Sequence, residues 1–278
     1  MPKSLAAFVL ICLSVLLHLA CSDQHVSVDT RVDSAATTAS DARQAESSND
    51  ASVVADAHEG SDRVVRILPL GDSLTVGFGT AAEGPGTEGG YRRRLARLLN
   101  EAGVFFDFVG SQTNGPAALG DKDHEGYNGY AVAQVAQKAI PALETYQPDL
   151  ILLLAGSNDQ ITFVPPTQPP EDAAADLEQL IEQLDRESPG VQIIVGKVVP
   201  LVHNDSGVRR YNELLEPLFE RQIERGVRLQ LVDMYAIGEA NLAIDGMHPT
   251  QAGYDMMADI WFPAVMAAVA GGRYSQDK

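Results

Sequence analysis

The sequence predicts a three-layer α/β/α sandwich around a parallel sheet of about five strands. Three observations predict it. Short apolar runs alternate with longer segments whose apolar residues recur at helical spacing. One run, Leu150-Ile151-Leu152-Leu153-Leu154, is apolar throughout, as befits a strand covered on both faces. The conspicuous polar clusters fall just after the apolar runs, where a doubly wound sheet places its functional loops.

The elements follow in order from Arg63. Val64-Val65-Arg66-Ile67-Leu68 is a short strand, expected to end at Pro69. From Gly90 to Asn100, Tyr91, Leu95, Leu98 and Leu99 mark the inner face of a helix, with arginines expected on the other face. Val104–Val109 is the next strand. The helix Ala131–Tyr146 turns Val132, Val135, Ala139 and Leu143 inward, and the strand Asp149–Ala155 follows it. Ala173–Arg186 is a helix carrying Leu177, Leu180, Ile181 and Leu184 on one face, and Val191–Val199 is a strand. Val208–Arg225 repeats the helical pattern with Tyr211, Leu214, Leu215 and Leu218. Val227–Val232 is a further strand, and Gln251–Ala268 is the closing helix. The connections expected at the C-terminal strand ends are 69–79, 111–129, 156–170, 200–206 and 233–248.

Ahead of this domain, Lys3 precedes an apolar run from Leu5 to Ala20. That is the charge and length pattern of a secretory signal, and short for a persistent membrane span. The run closes on Leu19-Ala20-Cys21-Ser22, which resembles the lipobox of bacterial lipoproteins, with His18 where that pattern prefers Leu. Residues 1–21 therefore read as a signal peptide ending at a lipidated Cys21. Cleavage without a lipid, or an uncleaved anchor, are the alternatives. Residues 22–62 contain no aromatic side chain and no sustained period, so they read as a disordered acidic tether to the domain at 63–278. The expected location is a bacterial cell envelope, as a membrane-anchored lipoprotein, or else the periplasm or the medium.

Composition narrows the chemistry. Thirty-eight acidic residues against 20 basic ones give a formal net charge of -18, which disfavours a nucleic acid partner. Both cysteines, Cys12 and Cys21, belong to the signal region. The domain therefore has no thiol nucleophile, disulfide or Cys-ligated zinc site.

Four polar blocks carry the functional reading. Gly71-Asp72-Ser73-Leu74-Thr75 follows the first strand, where a tight turn can present a serine hydroxyl. A helix cap is the plainer alternative for this serine. Asp245-Gly246-Met247-His248-Pro249 sets an Asp three residues before a His. That spacing lets the carboxylate accept the Nδ1 proton and leaves Nε2 free to act on serine. Of six histidines only His124, His203 and His248 lie in the domain, and His248 alone has such an Asp. Gly156-Ser157-Asn158-Asp159 follows the most apolar strand, where an Asn amide can donate to a developing oxyanion or simply form an Asx-turn. In Glu125-Gly126-Tyr127-Asn128-Gly129-Tyr130 a glycine N–H can do the same.

These blocks, in this order, resemble the SGNH hydrolases, the GDSL family of esterases and lipases. The resemblance implies a flavodoxin-like fold, Ser73 as nucleophile, His248 as base and Asp245 as its partner. It implies an oxyanion hole of Asn158 and the N–H groups of Ser73 and Gly129, with Gly126 the other choice of glycine. Ser157 stands where the family commonly has Thr. The runs Ile67–Ser73, Gly89-Gly90-Tyr91-Arg92, Phe108–Ser111 and His124–Gly129 further resemble family three of the carbohydrate esterases, the acetylxylan esterases. That likeness implies removal of acetyl groups from a polysaccharide such as acetylated xylan. The alternative is a lipase or acylhydrolase of the same machinery acting on lipid or simple short-chain esters. Neither reading requires a cofactor or metal. Asp123-His124-Glu125 is polar enough to suggest a metal site, but adjacent residues converge poorly. Asp72 and Asp159 are expected to brace the turns, and the proline-rich stretch Pro165–Pro170 to shape the cleft wall.

Overall fold

A computed structural model describes residues 63–80, 88–162 and 167–271. The signal, Cys21 and the tether lie outside the described residues, as do Pro165 and Pro166 of the proline-rich stretch. In chain order the elements are β1 (Val65–Gly71), α1 (Ser73–Val76), α2 (Gly90–Glu101), β2 (Phe106–Phe108), β3 (Gln112–Thr113) and β4 (Asp123–Gly126). There follow α3 (Val132–Tyr146), β5 (Leu150–Leu154), α4 (Pro170–Glu187), β6 (Gln192–Lys197), α5 (Asp205–Glu224), β7 (Leu229–Asp233) and α6 (Gln251–Gly271).

Five parallel strands form the body of the sheet in the order β2-β1-β5-β6-β7. β5, the all-apolar run, is buried along its whole length between β1 and β6. The sheet has seven strands rather than about five, because β3 and β4 form an antiparallel pair (Gln112↔His124, Thr113↔Asp123). The segment 111–129 is therefore not wholly loop. β2 runs beside the first half of β1, from Val65↔Phe106 to Ile67↔Phe108, and β4 beside its last residues, Leu70↔Glu125 and Gly71↔Gly126.

That change of neighbour explains why β1 runs through Pro69 to Gly71 instead of stopping. The Arg66 carbonyl accepts from Asp149 on β5's side, and the Ile67 carbonyl from Val109 on β2's side. Backbone groups alternate along a strand, so Pro69 faces the side of Ile67, between the end of β2 and the start of β4. Its missing N–H falls where no ladder bond is needed.

Helices cover both faces. α2 and α6 pack against each other, and α3, α4 and α5 pack in succession. Right-handed crossovers send the first pair to one face and the other three to the opposite face. The apolar stripes are those the periodicity indicates: Val132, Val135, Ala139 and Leu143 on α3, and Leu177, Leu180, Ile181 and Leu184 on α4, are all buried. The arginines of α2 do not all face outward. Arg92 is fully buried beside Tyr91.

Candidate active site

Ser73 follows β1, just past Gly71, where that strand and β5 approach too closely for a side chain. A Cβ on Gly71 would lie 2.1 Å from the carbonyl oxygen of Leu154. The chain then enters α1, a single turn. Asp72 caps it by accepting from the Leu74 N–H (2.9 Å), and Gly77 closes it in the left-handed region at φ 88°. As the first helical residue, Ser73 has an N–H with no intrahelical acceptor. Its hydroxyl lies 2.9 Å from Nε2 of His248.

His248 is held by the loop leading to α6. Asp245 Oδ1 accepts from the N–H groups of both Met247 and His248 (3.0 Å each), and Gly246 makes the turn at φ 67°. The Gly246 carbonyl accepts from Val202, and Leu242 bridges Pro249. Asp245 Oδ2 lies 2.7 Å from Nδ1 of His248. A carboxylate opposite Nδ1 keeps the proton there, so Nε2 turns its lone pair to the serine hydroxyl. Burial pushes the Asp245 carboxyl up, but the hydrogen bond and charge of His248, with the two backbone donors, outweigh it and hold the pKa at about 2. The ring of Phe78, 4.7 Å away and tilted by 49°, flanks the imidazole.

Asn158 follows β5. Gly156 turns the chain at φ 118° with no room for a side chain, since a Cβ would lie 2.5 Å from the phenol of Tyr211. The Asn158 amide donates to the Tyr130 carbonyl (3.0 Å) and to Asp72 Oδ2 (3.2 Å). It therefore links the serine turn to the segment ending at Tyr130. Gly129 lies within that segment at φ 78°, exposed, in a turn closed by the Tyr130 N–H on the Tyr127 carbonyl (3.3 Å). Gly126, the other glycine, is buried, and its N–H is engaged by Nδ1 of His124 (3.0 Å). It has no donor left for an oxyanion.

Two buried carboxylates brace these turns. Asp72 joins Leu74 to Asn158, and burial pushes its pKa up to about 7. Asp159 accepts from the Val132 N–H (3.1 Å) and from Gln168 (2.7 Å), and burial raises its pKa as well.

The remaining histidines are not placed as bases. His124 is buried, accepts from Gly126 through Nδ1 and faces Asn114 Oδ1 through Nε2, and burial pushes its pKa down to about 2. His203 meets the Asp245 carbonyl at 3.3 Å. The polar trio of β4 diverges. His124 turns to Asn114, while Glu125 accepts from Ser111 and Tyr127.

Arg92 was not legible from its place in a run of three arginines. Its guanidinium donates to the carbonyls of Thr75 (3.1 Å), Val76 (3.1 Å), Lys122 (2.9 Å) and Asn114 (3.0 Å), and to Asn114 Oδ1 (3.2 Å). It ties the serine turn to the loop before β4. Burial lowers its pKa to about 10, so it remains a cation at neutral pH.

Comparison with known proteins agrees with this geometry. The model of the GDSL-like Lipase/Acylhydrolase family matches residues 70–256. Among solved structures, a family 3 carbohydrate esterase of Clostridium thermocellum is 32% identical with a TM-score of 0.64, over 75% of this chain and 100% of that one. A family 3 carbohydrate esterase of Talaromyces cellulolyticus shares the fold at 21% identity and a TM-score of 0.65, over 75% of this chain and 100% of that one. A multidomain esterase of Ruminococcus flavefaciens is 25% identical over an alignment 232 positions long that covers 72% of this chain and 28% of that protein. The chain thus spans less than a third of that relative's length.

Proposed function

Because the chain belongs to the GDSL-like Lipase/Acylhydrolase family, we propose that it is an exported serine esterase that releases acetyl groups from polysaccharide, acetylated xylan being the substrate class. The observation that carries the chemistry is the relay Ser73–His248–Asp245, with links of 2.9 and 2.7 Å. The substrate class is supported by the 32% identity to a carbohydrate esterase whose whole chain is covered.

In this reading Nε2 of His248 takes the hydroxyl proton as Ser73 Oγ bonds to the ester carbonyl carbon. Asp245, ionised at any pH well above 2, stabilises the imidazolium that forms. The carbonyl oxygen becomes an oxyanion received by the N–H groups of Ser73 and Gly129 and by the Asn158 amide, which turns to it the N–H that otherwise makes the longer bond, 3.2 Å to Asp72 Oδ2. The C–O bond to the sugar then breaks, and the sugar oxygen leaves with the proton from His248. Water, deprotonated by the same imidazole, attacks the acyl-serine; the bond from the acyl carbon to Ser73 Oγ breaks, Oγ takes the proton back from His248, and acetate leaves. Each oxyanion donor is worth about 3 kcal/mol in such a transition state.

Lipidation at Cys21 and the tether 22–62 would hold the domain clear of an envelope membrane. A second reading, hydrolysis of lipid or simple short-chain esters, is favoured by the exposed Ile244 and Val202 beside the Asp245–His248 loop. The deciding experiment is acetate release from acetylated xylan by the purified protein, with a Ser73→Ala control and a panel of short- and long-chain aryl esters. Acetate from xylan, absent in the control, is the expected result. Turnover confined to aryl or long-chain esters would keep the serine mechanism and overturn the xylan assignment.

A further inference from the structure

We infer that Tyr130, buttressed by Tyr127, is the platform on which the sugar ring bearing the acetyl group stacks; this rests on the polysaccharide reading above. The turn that carries both tyrosines is fastened to the reaction centre at each end. The Tyr127 N–H donates to the Gly71 carbonyl (3.0 Å), two residues before Ser73. The Tyr130 carbonyl accepts from the Asn158 amide (3.0 Å). An acetyl ester is short, so the sugar that bears it sits within a few bonds of the attacked carbon, beside this turn.

The two rings are unequal in what they leave open. They stack at 4.9 Å between centroids with 17° between planes. Tyr127 is immobilised: its hydroxyl donates to Glu125 Oε1 (2.5 Å) and meets Ser111 Oγ (2.9 Å). Glu125 is itself buried and held by the N–H and hydroxyl of Ser111. Besides Tyr130, the Tyr127 ring has the ammonium of Lys138 over it, 5.1 Å from its centroid. Tyr127 is thus a filled support. Tyr130 has one face on that support, packs in part against the core, stays half-buried, and has a hydroxyl that makes no hydrogen bond among the described residues.

A rigid, half-buried aromatic ring beside the nucleophile suits a pyranose. The C–H edges of a sugar ring carry partial positive charge, and the face of a phenol ring is negative. Two parallel rings resist tilting, so stacking fixes the plane of the sugar and with it the direction from which the ester meets Ser73. A fatty acyl chain has no flat face to match, which makes the platform a device for choosing the alcohol half of the ester.

The test compares the native enzyme, Tyr130→Ala and Tyr130→Phe on acetylated xylo-oligosaccharide and on ethyl acetate, whose alcohol half has no ring. Tyr130→Ala is expected to raise KM for the oligosaccharide about tenfold more than KM for ethyl acetate. Tyr130→Phe keeps the ring and should stay within about twofold of native on the oligosaccharide. Equal losses on both substrates in Tyr130→Ala, or a Tyr130→Phe variant as impaired as the Ala variant, would overturn the platform. Should the native enzyme cleave ethyl acetate but no acetylated sugar, the polysaccharide reading fails on its own. Calorimetry of xylo-oligosaccharide with Ser73→Ala protein then decides the platform: binding that is lost on adding Tyr130→Ala supports it, and no binding, or binding unchanged by that substitution, overturns it.

Discussion

Replacing Asp245 by Asn changes one atom in the relay and tests what that atom does. Oδ1 already accepts from the N–H groups of Met247 and His248, and an amide oxygen can keep both bonds. The loop should therefore hold its shape. At the other position an acceptor becomes a donor, 2.7 Å from a ring nitrogen that carries its own proton. The imidazole must move that proton to Nε2, where it points at Ser73 and can no longer accept. The imidazolium of the transition state also loses its counter-charge, an interaction of about 4 kcal/mol at 4 Å and an effective dielectric constant near 20. Together these predict a fall in kcat on phenyl acetate of about 10³- to 10⁴-fold with KM little changed. Stability gives a second readout. A folded pKa of about 2 against 3.8 for the free group means Asp245 stabilises the fold above pH 3.8, a contribution lost as pH falls through 2. The variant should be less stable at pH 7 by up to about 2 kcal/mol, with the deficit shrinking in acid. A kcat within tenfold of native, with the melting temperature preserved, would refute the relay.

Substitutions at three other positions probe the scaffold. Asp72 has the opposite linkage: its pKa rises to about 7, so the folded state keeps a proton the unfolded chain loses, and stability falls between pH 4 and 7. The melting temperature of Asp72→Asn relative to native should therefore become more positive from pH 4 to pH 8, and a flat difference would contradict the burial argument. Arg92→Leu strips donors from the buried carbonyls of Thr75, Val76, Lys122 and Asn114, and should cost about 3 to 5 kcal/mol in urea unfolding. Arg92→Lys should recover only part of this, because one ammonium cannot span acceptors on both sides. Gly156→Ala drives a methyl to within 2.5 Å of Tyr211 at φ 118°, and should cost about 2 kcal/mol while lowering kcat through Asn158. An unchanged thermal midpoint would show that the turn has room to relax.

What could be read before the structure, and what could not, divides along one physical line. β5 and the stripes of α3 and α4 announce themselves because burial there demands apolar side chains in a local rhythm. Asp245 and His248 are legible for a related reason: their partners are each other, three residues apart. β4 gives no such signal. Its residues Asp123, His124 and Glu125 look solvated, yet His124 and Glu125 are buried, because Asn114, Ser111 and Tyr127 supply hydrogen bonds from elsewhere in the chain. Arg92 sits among arginines that do face out, and only four distant carbonyls distinguish it. Pro69 passes as a strand breaker until one knows that β2 has ended and β4 has not begun. A buried polar residue is tolerable only if its partners exist, and those partners are set by the topology. The choice between Gly126 and Gly129 turns on the same point. Both stand in one short motif and both suit a turn, but His124 has taken the N–H of Gly126, which is why the proposed oxyanion hole draws on Gly129.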